Sequence, residues 1–176
     1  MNAIHIGDPV LSGVEHGEDM LQRKVGVFAY IDSETGENTT CTLADTWYPI
    51  SGTFVNSPIE GFTLVSGDPS LQWDGAETAY FEIDWHVSMS CDNSNSTVHL
   101  GILIWDGDSW NEVPATMGTY VKNAGQLYTL SGTVVIQLLQ NNKIQLVIRS
   151  NNAGGVITIF HYNTTIRPFF GDEVGI

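Results

Sequence analysis

The sequence predicts an all-β protein, an antiparallel β-sandwich, and three observations carry that prediction. Hydrophobic residues make up 42% of the 176 residues and charged residues only 15%, so the chain can fold around a sizeable core. The polar remainder is mostly Ser, Thr, Asn and Gly, whereas the helix formers Lys, Arg and Glu are scarce. Apolar runs also recur at short spacing between Gly, Pro, Asn and Asp, which is typical of strands joined by turns.

The chain begins with a segment that lacks a sustained hydrophobic period. Glycines and a proline interrupt the short apolar pairs of residues 1–24, which indicates an arm that could extend on the order of 80 Å. Two β-rich runs, residues 25–31 and 39–43, flank the sequence SETGEN, which predicts a hairpin turn. We therefore expect an N-terminal arm with a β-hairpin over residues 1–44 and one head domain over residues 45–176.

The clearest strand of the head is YFEIDWHVSMS. Its apolar residues alternate with polar ones, which places one set on a buried face and the other on a hydrated face. The buried set is Phe81, Ile83, Trp85, Val87 and Met89, and the opposite set is Tyr80, Glu82, Asp84, His86 and Ser88.

The next strand, VHLGILIW, is apolar on both of its faces. One face carries Val98, Leu100, Ile102 and Ile104, and the other carries His99, Gly101, Leu103 and Trp105. This pattern predicts either a central strand or a surface between subunits. Asp106 and Gly107 then form a favourable hairpin turn into DSWNEV.

Three further strands follow in VVIQLLQNNKIQLVIRSNNAGGVITIFHY, residues 134–162. Gln140, Asn141 and Asn142 turn the chain, and NNAGG separates the second strand from the third. The middle strand alternates Ile144, Leu146 and Ile148 against Gln145, Val147 and Arg149. These 29 residues contain two basic side chains, one histidine and no acid. The segment therefore has the composition of a structural part of the sandwich rather than of a reaction site.

The charge of the chain excludes several classes of partner. A formal charge of −14 and a pI near 4.3 oppose binding to nucleic acid, which requires Lys and Arg on phosphates. The sequence shows no signal peptide and no run of 18 apolar residues, so we expect no membrane partner and synthesis in the cytoplasm. Cys41 and Cys91 are the only cysteines, and whether they pair stays open.

Few residues carry the pattern of a catalytic or metal site. None of the histidines has the spacing of a metal-binding motif. They are His5, His16, His86, His99 and His161. The string DGDSWNE is interpreted as an acidic hairpin tip rather than a calcium loop. Glu82 and Asp84 lie two residues apart on a strand, roughly 6 to 7 Å, a separation also compatible with a glycosidase. We expect no cofactor, no metal and no enzymatic activity.

Five tryptophans leave one further alternative open. Their rings could line a sugar site, with Trp105 and Trp110 the more exposed because they flank a turn. Roles in the core or at a subunit interface are the simpler interpretation for the group.

The order of these segments resembles a known family of folds. The stretches WYPISGTFVNSPIEGFTLVSGDPSLQWDG, AYFEIDWHVSMSCDNSNSTVHLGILIWDG, SGTVVIQLLQNNKIQLVIRSNN and GGVITIFHYNTTIRPF resemble the jelly roll of the tumour necrosis factor and complement globular-head superfamily. More narrowly, they resemble the versions found in tailed-bacteriophage capsid decoration (cement) proteins and tail-fibre tips. The resemblance implies a jelly roll that assembles as a threefold homotrimer. We expect its trimer interface to include Tyr80, His99, Leu103, Phe160 and Tyr162.

This resemblance implies a structural role in a virion. We expect a capsid decoration protein on the capsid exterior, assembled in the host cytoplasm, that bridges major capsid subunits and stabilises the shell. The arm would hold the capsid through Ile4, Ile6, Val10, Leu11, Met20, Leu21, Arg23 and Lys24. The alternatives are a receptor-binding tail-fibre tip that recognises a host glycan or protein, and a surface-sugar hydrolase. The absence of a coiled-coil or triple-helical shaft favours decoration over a fibre.

Overall fold

The computed structural model describes residues 27–52, 55–56, 61–65, 70–114 and 116–169, and within them the chain is all-β, as predicted. Its twelve strands include short edge pieces and long central strands. In chain order they are β1 Val27–Cys41, β2 Tyr48–Pro49, β3 Val55–Asn56, β4 Phe62–Leu64, β5 Ser70–Trp73, β6 Ala79–Cys91, β7 Ser96–Trp105, β8 Trp110–Glu112, β9 Met117–Val121, β10 Tyr128–Leu138, β11 Lys143–Ser150 and β12 Gly155–Pro168.

The strands form two antiparallel sheets that pack face to face. The five-stranded sheet has the order β10-β6-β12-β1-β3. The seven-stranded sheet has the order β4-β5-β11-β7-β8, with β2 also pairing with β11 and β9 with β7. The last three strands alternate between the sheets, since β10 and β12 lie in one and β11 in the other. This crossing is the connectivity of a jelly roll.

The core between the sheets confirms the pattern of alternation in β6. All five residues of its predicted buried set are at most 1% exposed. At one end of the core Phe62, Trp73 and Phe81 pack together, with ring centroids 4.8 to 5.2 Å apart. Such tilted and edge-on contacts stabilise a core beyond the area that they bury.

Strand β7 is a central strand, which was one of the two predicted alternatives. It pairs with β11 on one side and with β8 and β9 on the other. Val98, Leu100 and Ile102 are fully buried in the core. In β11, Ile144, Leu146 and Ile148 are likewise core residues, as the alternation predicted.

The predicted hairpin around SETGEN is wrong. Residues 27–32 and 37–41 both pair with β12 in a single strand, and a bulge lies between Asp32 and Glu37. Gly36 takes a positive φ of 79°, and its N–H donates to Ser33 Oγ at 3.0 Å. The turn-forming residues therefore make a bulge rather than a reversal. The predicted division after residue 44 does not coincide with the sandwich, because β1 belongs to the sheet.

The turn at residues 140–142 forms where the sequence predicted it. Asn141 adopts a positive φ of 66°, and the Asn142 side chain accepts a hydrogen bond from Leu139 N at 2.8 Å. The two strands that it joins lie in different sheets, so the turn links the layers instead of closing a hairpin.

Both cysteines lie in the core as free thiols. Cys41 ends β1 and Cys91 ends β6, and neither side chain is exposed. Burial raises the pKa of the Cys41 thiol, which keeps it protonated. Among the described residues there is also no helix long and apolar enough to span a membrane.

Candidate functional site

The residues predicted at a trimer interface lie in three separate places. Tyr80 and Phe160 lie in the five-stranded sheet, His99 and Leu103 lie on β7 in the seven-stranded sheet, and Tyr162 is fully buried in the core. Tyr162 cannot contact another copy, whereas the other four remain predicted interface residues, because a threefold contact joins two different surfaces of each chain. The eight residues predicted to bind capsid all precede residue 25 and lie outside the described residues.

A bulge in β12 explains why Tyr162 departs from the prediction. Simple alternation places Phe160 and Tyr162 on the same face. The register shifts between Ile159 and His161, and the extra residue turns Tyr162 inward. Burial raises the pKa of the Tyr162 hydroxyl, so this group stays neutral inside the sandwich.

The outer face of the five-stranded sheet carries a compact ionic network. Arg167 Nε and Nη2 donate to the two carboxylate oxygens of Glu82 at 3.1 and 2.9 Å, and Nη2 lies 3.1 Å from Asp84 Oδ2. Thr133 Oγ1 donates to Asp84 Oδ1 at 2.5 Å. The Glu82 carboxylate, with Asp84, raises the pKa of Arg167. Glu82 and Asp84, whose separation is compatible with a glycosidase, are thus both paired with Arg167.

Exposed apolar side chains gather at one end of the same sheet. Tyr80 is 51% exposed, Val135 42%, Leu139 52% and Phe169 43%. Val135 pairs with Glu82, Leu139 follows β10, and Phe169 N donates to the Tyr80 carbonyl at 2.8 Å. We call these four residues the apolar corner. Alternation in β6 and β10 places Tyr80 and Val135 on the outer side of the sheet, and Leu139 and Phe169 continue the outward positions of β10 and β12.

Most of this surface was missed by the sequence analysis. Arg167 is 85 residues from Glu82 in the chain, and only the register of β12 against β6 brings the two together. Val135 and Leu139 lie in a run that is apolar at almost every position, so the sequence did not show which side chains face outward. Knowledge of the bulge and of the strand order was required.

The outer face of the seven-stranded sheet is organised around Trp47. Its ring lies above β7, 2.8 Å from where a Cβ on Gly101 would stand, so glycine leaves room for the ring in this position. Its indole N–H donates to Glu112 Oε2 at 3.0 Å, and Arg149 Cζ lies 4.3 Å from the ring centroid. Val147, on the outward side of β11, is fully buried. Strand β7 is therefore covered locally by its own chain.

His99 and Arg149 lie side by side on paired strands, and the guanidinium of Arg149 stacks on the Trp47 ring. Burial lowers the pKa of His99, and the charge of Arg149 lowers it further, against the opposing effects of Asp45 and Glu112. The Nε of Arg149 is buried and has no hydrogen-bond partner among the described residues. Arg149 is thus held by stacking, and His99 is neutral in ordinary buffers.

The β7–β8 hairpin presents two further tryptophans. The ring centroids of Trp105 and Trp110 are 5.7 Å apart, at an interplanar angle of 56°. At the turn, Asp106 Oδ1 accepts the N–H groups of Asp108 and Ser109, both at 2.9 Å. These backbone bonds lower the pKa of Asp106. The acidic hairpin tip predicted from DGDSWNE is confirmed, and the Asp106 carboxylate stabilises the turn.

Across the described residues, no group of three or more His, Cys, Asp or Glu side chains is arranged to hold a metal ion. The clustered polar groups are instead engaged with one another, as in the network of Arg167, Glu82 and Asp84. The side chains on the two outer faces are suited to contact another surface. The two faces differ in the kind of contact that they can make.

Comparisons with known proteins inform the fold. No family model and no curated protein sequence matches the chain. Among solved structures, the Eiger tumour necrosis factor of S. frugiperda matches with a TM-score of 0.57 and 8% identity over 85% of this chain and 96% of that one. Murine APRIL, in a crystal structure at pH 5.0, matches with a TM-score of 0.54 and 10% identity over 82% and 99%. At these identities the likeness concerns the fold, and the chain therefore has a tumour-necrosis-factor-like jelly-roll fold.

Proposed function

We propose that this chain is a non-enzymatic virion structural protein, a homotrimeric capsid decoration protein that bridges major capsid subunits. The observation that carries the proposal is the outer face of the five-stranded sheet. It combines the apolar corner with the network of Arg167, Glu82 and Asp84. A second copy of the chain can bury the former and exclude water from the latter.

The composition of this face suits association between copies. Each of the four apolar side chains is exposed by 42 to 52%, and the register places them near one end of the sheet, with Gln137 between Val135 and Leu139. Several large apolar side chains exposed close together are typical of a protein contact. Aromatic side chains and arginine are enriched in such contacts, and Tyr80, Phe169 and Arg167 are of these types.

A bridging role needs buried area and no reactive group. Pressure from a packaged genome separates capsid subunits, and a trimer attached to neighbouring subunits resists that separation. Three equivalent attachments also raise the effective concentration of each contact, so modest affinity at each site suffices. The sequence before β1 supplies the attachment in this proposal, through the predicted residues between Ile4 and Lys24.

The proposal is tested by co-sedimentation with empty shells assembled from the major capsid protein of the encoding virus. The full chain should sediment with the shells at a stoichiometry of whole trimers. A variant lacking residues 1–24 should remain a trimer and stay in the supernatant. A trimer that never sediments with shells would contradict the capsid role, and a truncated variant that still sediments would exclude the arm as the attachment.

A further inference from the structure

The outer face of the seven-stranded sheet carries a row of side chains that the proposed function does not use. The register places five residues opposite one another on adjacent strands, and they are Trp110, Trp105, Lys143, Gln72 and Thr63. Alternation puts all five on the outer side, because Ile104, Ile144 and Leu71 beside them point into the core. At the usual strand spacing the row is about 19 Å long.

One end of the row is aromatic. Trp105 and Trp110 are both half-buried, and their rings are tilted by 56° relative to each other. The strands fix both ring positions, since Trp105 pairs directly with Trp110 across the β7–β8 hairpin. The rings are therefore arranged before any ligand binds, which lowers the entropic cost of binding.

The other end of the row is polar. Lys143 supplies an ammonium group next to the rings, and the Gln72 amide lies within 3.4 Å of Asp74 Oδ1 and 3.5 Å of Asn141 Oδ1. Thr63 Oγ1 donates to Asp74 Oδ2 at 2.6 Å. Hydrogen-bond donors and acceptors thus continue directly from the aromatic surface.

We propose that this row binds a neutral oligosaccharide. A pyranose ring has an apolar C–H face that stacks on an aromatic ring and hydroxyl groups that exchange hydrogen bonds with amides, carboxylates and ammonium groups. Aromatic surface with a few fixed polar groups is the usual composition of a small-ligand site. Trp105 and Trp110 provide the stacking surface, and Lys143 and Gln72 orient the hydroxyls.

Charge and composition select a neutral saccharide. A chain of net charge −14 repels polyanionic glycans, and the row holds a single cation. A protein partner needs a contiguous apolar area, whereas here the apolar surface stops after two rings and polar groups follow. The row lies on the opposite side of the sandwich from the apolar corner, so the two surfaces can be tested by separate substitutions.

The test uses the full-length protein and the five indole N–H resonances of its tryptophans. Maltotriose, cellotriose and triacetylchitotriose are titrated separately to about 10 mM, a range that detects even millimolar affinity. At least one saccharide should shift the resonances of Trp105 and Trp110 in a saturable manner. The resonances of Trp73 and Trp85 should stay unchanged, because these core side chains are only 8% and 1% exposed.

Variants connect the shifts to the row. Trp110→Ala should weaken binding about tenfold, as expected for the loss of one aromatic contact, and Trp110→Tyr should restore most of it. Tyr80→Ala, which removes an exposed aromatic side chain from the opposite face, should leave binding unchanged. If none of the three saccharides gives a saturable shift, or if only the major capsid protein shifts these resonances, the proposal is wrong.

Discussion

The two outer faces of the sandwich differ in how their apolar side chains are surrounded. On the five-stranded sheet four exposed apolar residues lie near one end, and the charged groups beside them are paired among themselves. On the seven-stranded sheet the Trp47 ring lies above Gly101 of β7, and Trp105 is paired with the polar Lys143. The first face is suited to burial by a protein surface, and the second to a hydrated contact.

The difference shows that a strand which is apolar on both faces need not meet another subunit. Strand β7 is apolar on both sides, yet Trp47 of the same chain covers its outward side at Gly101. Strand β6 is amphipathic, and its polar face adjoins the apolar corner. Exposed apolar area, rather than the pattern of one strand, indicates the candidate surface for the proposed association.

Charges placed in the apolar corner should have the largest effect on assembly. The double variant Leu139→Asp and Phe169→Asp introduces two unpaired charges into the proposed contact, which should cost about 3 kcal/mol or more per contact. Light scattering should find a monomer at concentrations where the unmodified protein is a trimer. Leu127→Asp, at a position 60% exposed elsewhere, is the matched control and should stay trimeric. An unchanged mass in the double variant would remove the apolar corner from the contact.

Arg167 distinguishes a covered face from an open one. Arg167→Ala leaves Glu82 and Asp84 as neighbouring like charges without their shared cation. If a second copy covers the network, removing Arg167 leaves two like charges away from water, and the free energy of unfolding should fall strongly. In an open network, water and salt screen the two acids, and the loss should be close to that of an ordinary surface substitution. We expect the larger loss by denaturant unfolding at fixed protein concentration, with the exposed Lys122→Ala as control.

Two glycine substitutions compare the core with the outer side of the seven-stranded sheet. A Cβ on Gly132 would lie 2.5 Å from the buried Trp85 ring, whereas one on Gly101 would lie 2.8 Å from Trp47. Overpacking typically costs about 1 to 3 kcal/mol. Gly132→Ala should fall near the upper value because Trp85 cannot move, and Gly101→Ala near the lower because Trp47 can move outward. The reverse order in thermal unfolding would mean that Trp47 is held as firmly as a core residue.

The contact between Trp47 and Glu112 should contribute less. Trp47→Phe keeps an aromatic ring over Gly101 but removes the N–H that donates to Glu112. We expect a loss of about 1 kcal/mol in the free energy of unfolding. Combining it with Glu112→Gln in a double-mutant cycle isolates the pair, and additive losses would show that the hydrogen bond adds nothing.

His99 should give the smallest effect, visible as a change with pH. Because the pKa of His99 is lower in the folded chain than in the unfolded one, the unfolded state binds the proton more readily. Stability should therefore decline as the pH falls below about 6.5, the ordinary pKa of histidine. His99→Asn should reduce that decline in thermal midpoints, whereas the exposed His86→Asn should not. Equal pH profiles for both variants would mean that His99 does not contribute.

The strands of the sandwich were predictable where alternation is regular. The five buried residues of β6 and the core side of β7 follow directly from the sequence. The alternation of apolar and polar residues is visible within each strand and does not depend on its neighbours. The bulges in β1 and β12 were not predictable, and each changed a conclusion: one turned an expected hairpin into a strand, and the other moved Tyr162 into the core. A bulge depends on the partner strand, which the local sequence does not specify.

The candidate surfaces were predictable only in part, for the same reason. Trp105 and Trp110 were expected together from their shared turn, and Tyr80 from the polar side of its strand. Arg167 and Trp47 act on residues 85 and 65 positions away, so their roles depend on sheet order and register. Local patterns specify which side chains share a face of one strand, and the topology decides which faces meet.

The most direct measurement is the mass of the full-length protein in solution by light scattering across a concentration series, with native mass spectrometry alongside. The proposed homotrimer, in which identical copies bury the apolar corner, predicts the mass of three 19.3-kDa chains at micromolar concentration, falling on dilution. A mass of one chain at every concentration, with Tyr80 and Phe169 open to solvent, would contradict it.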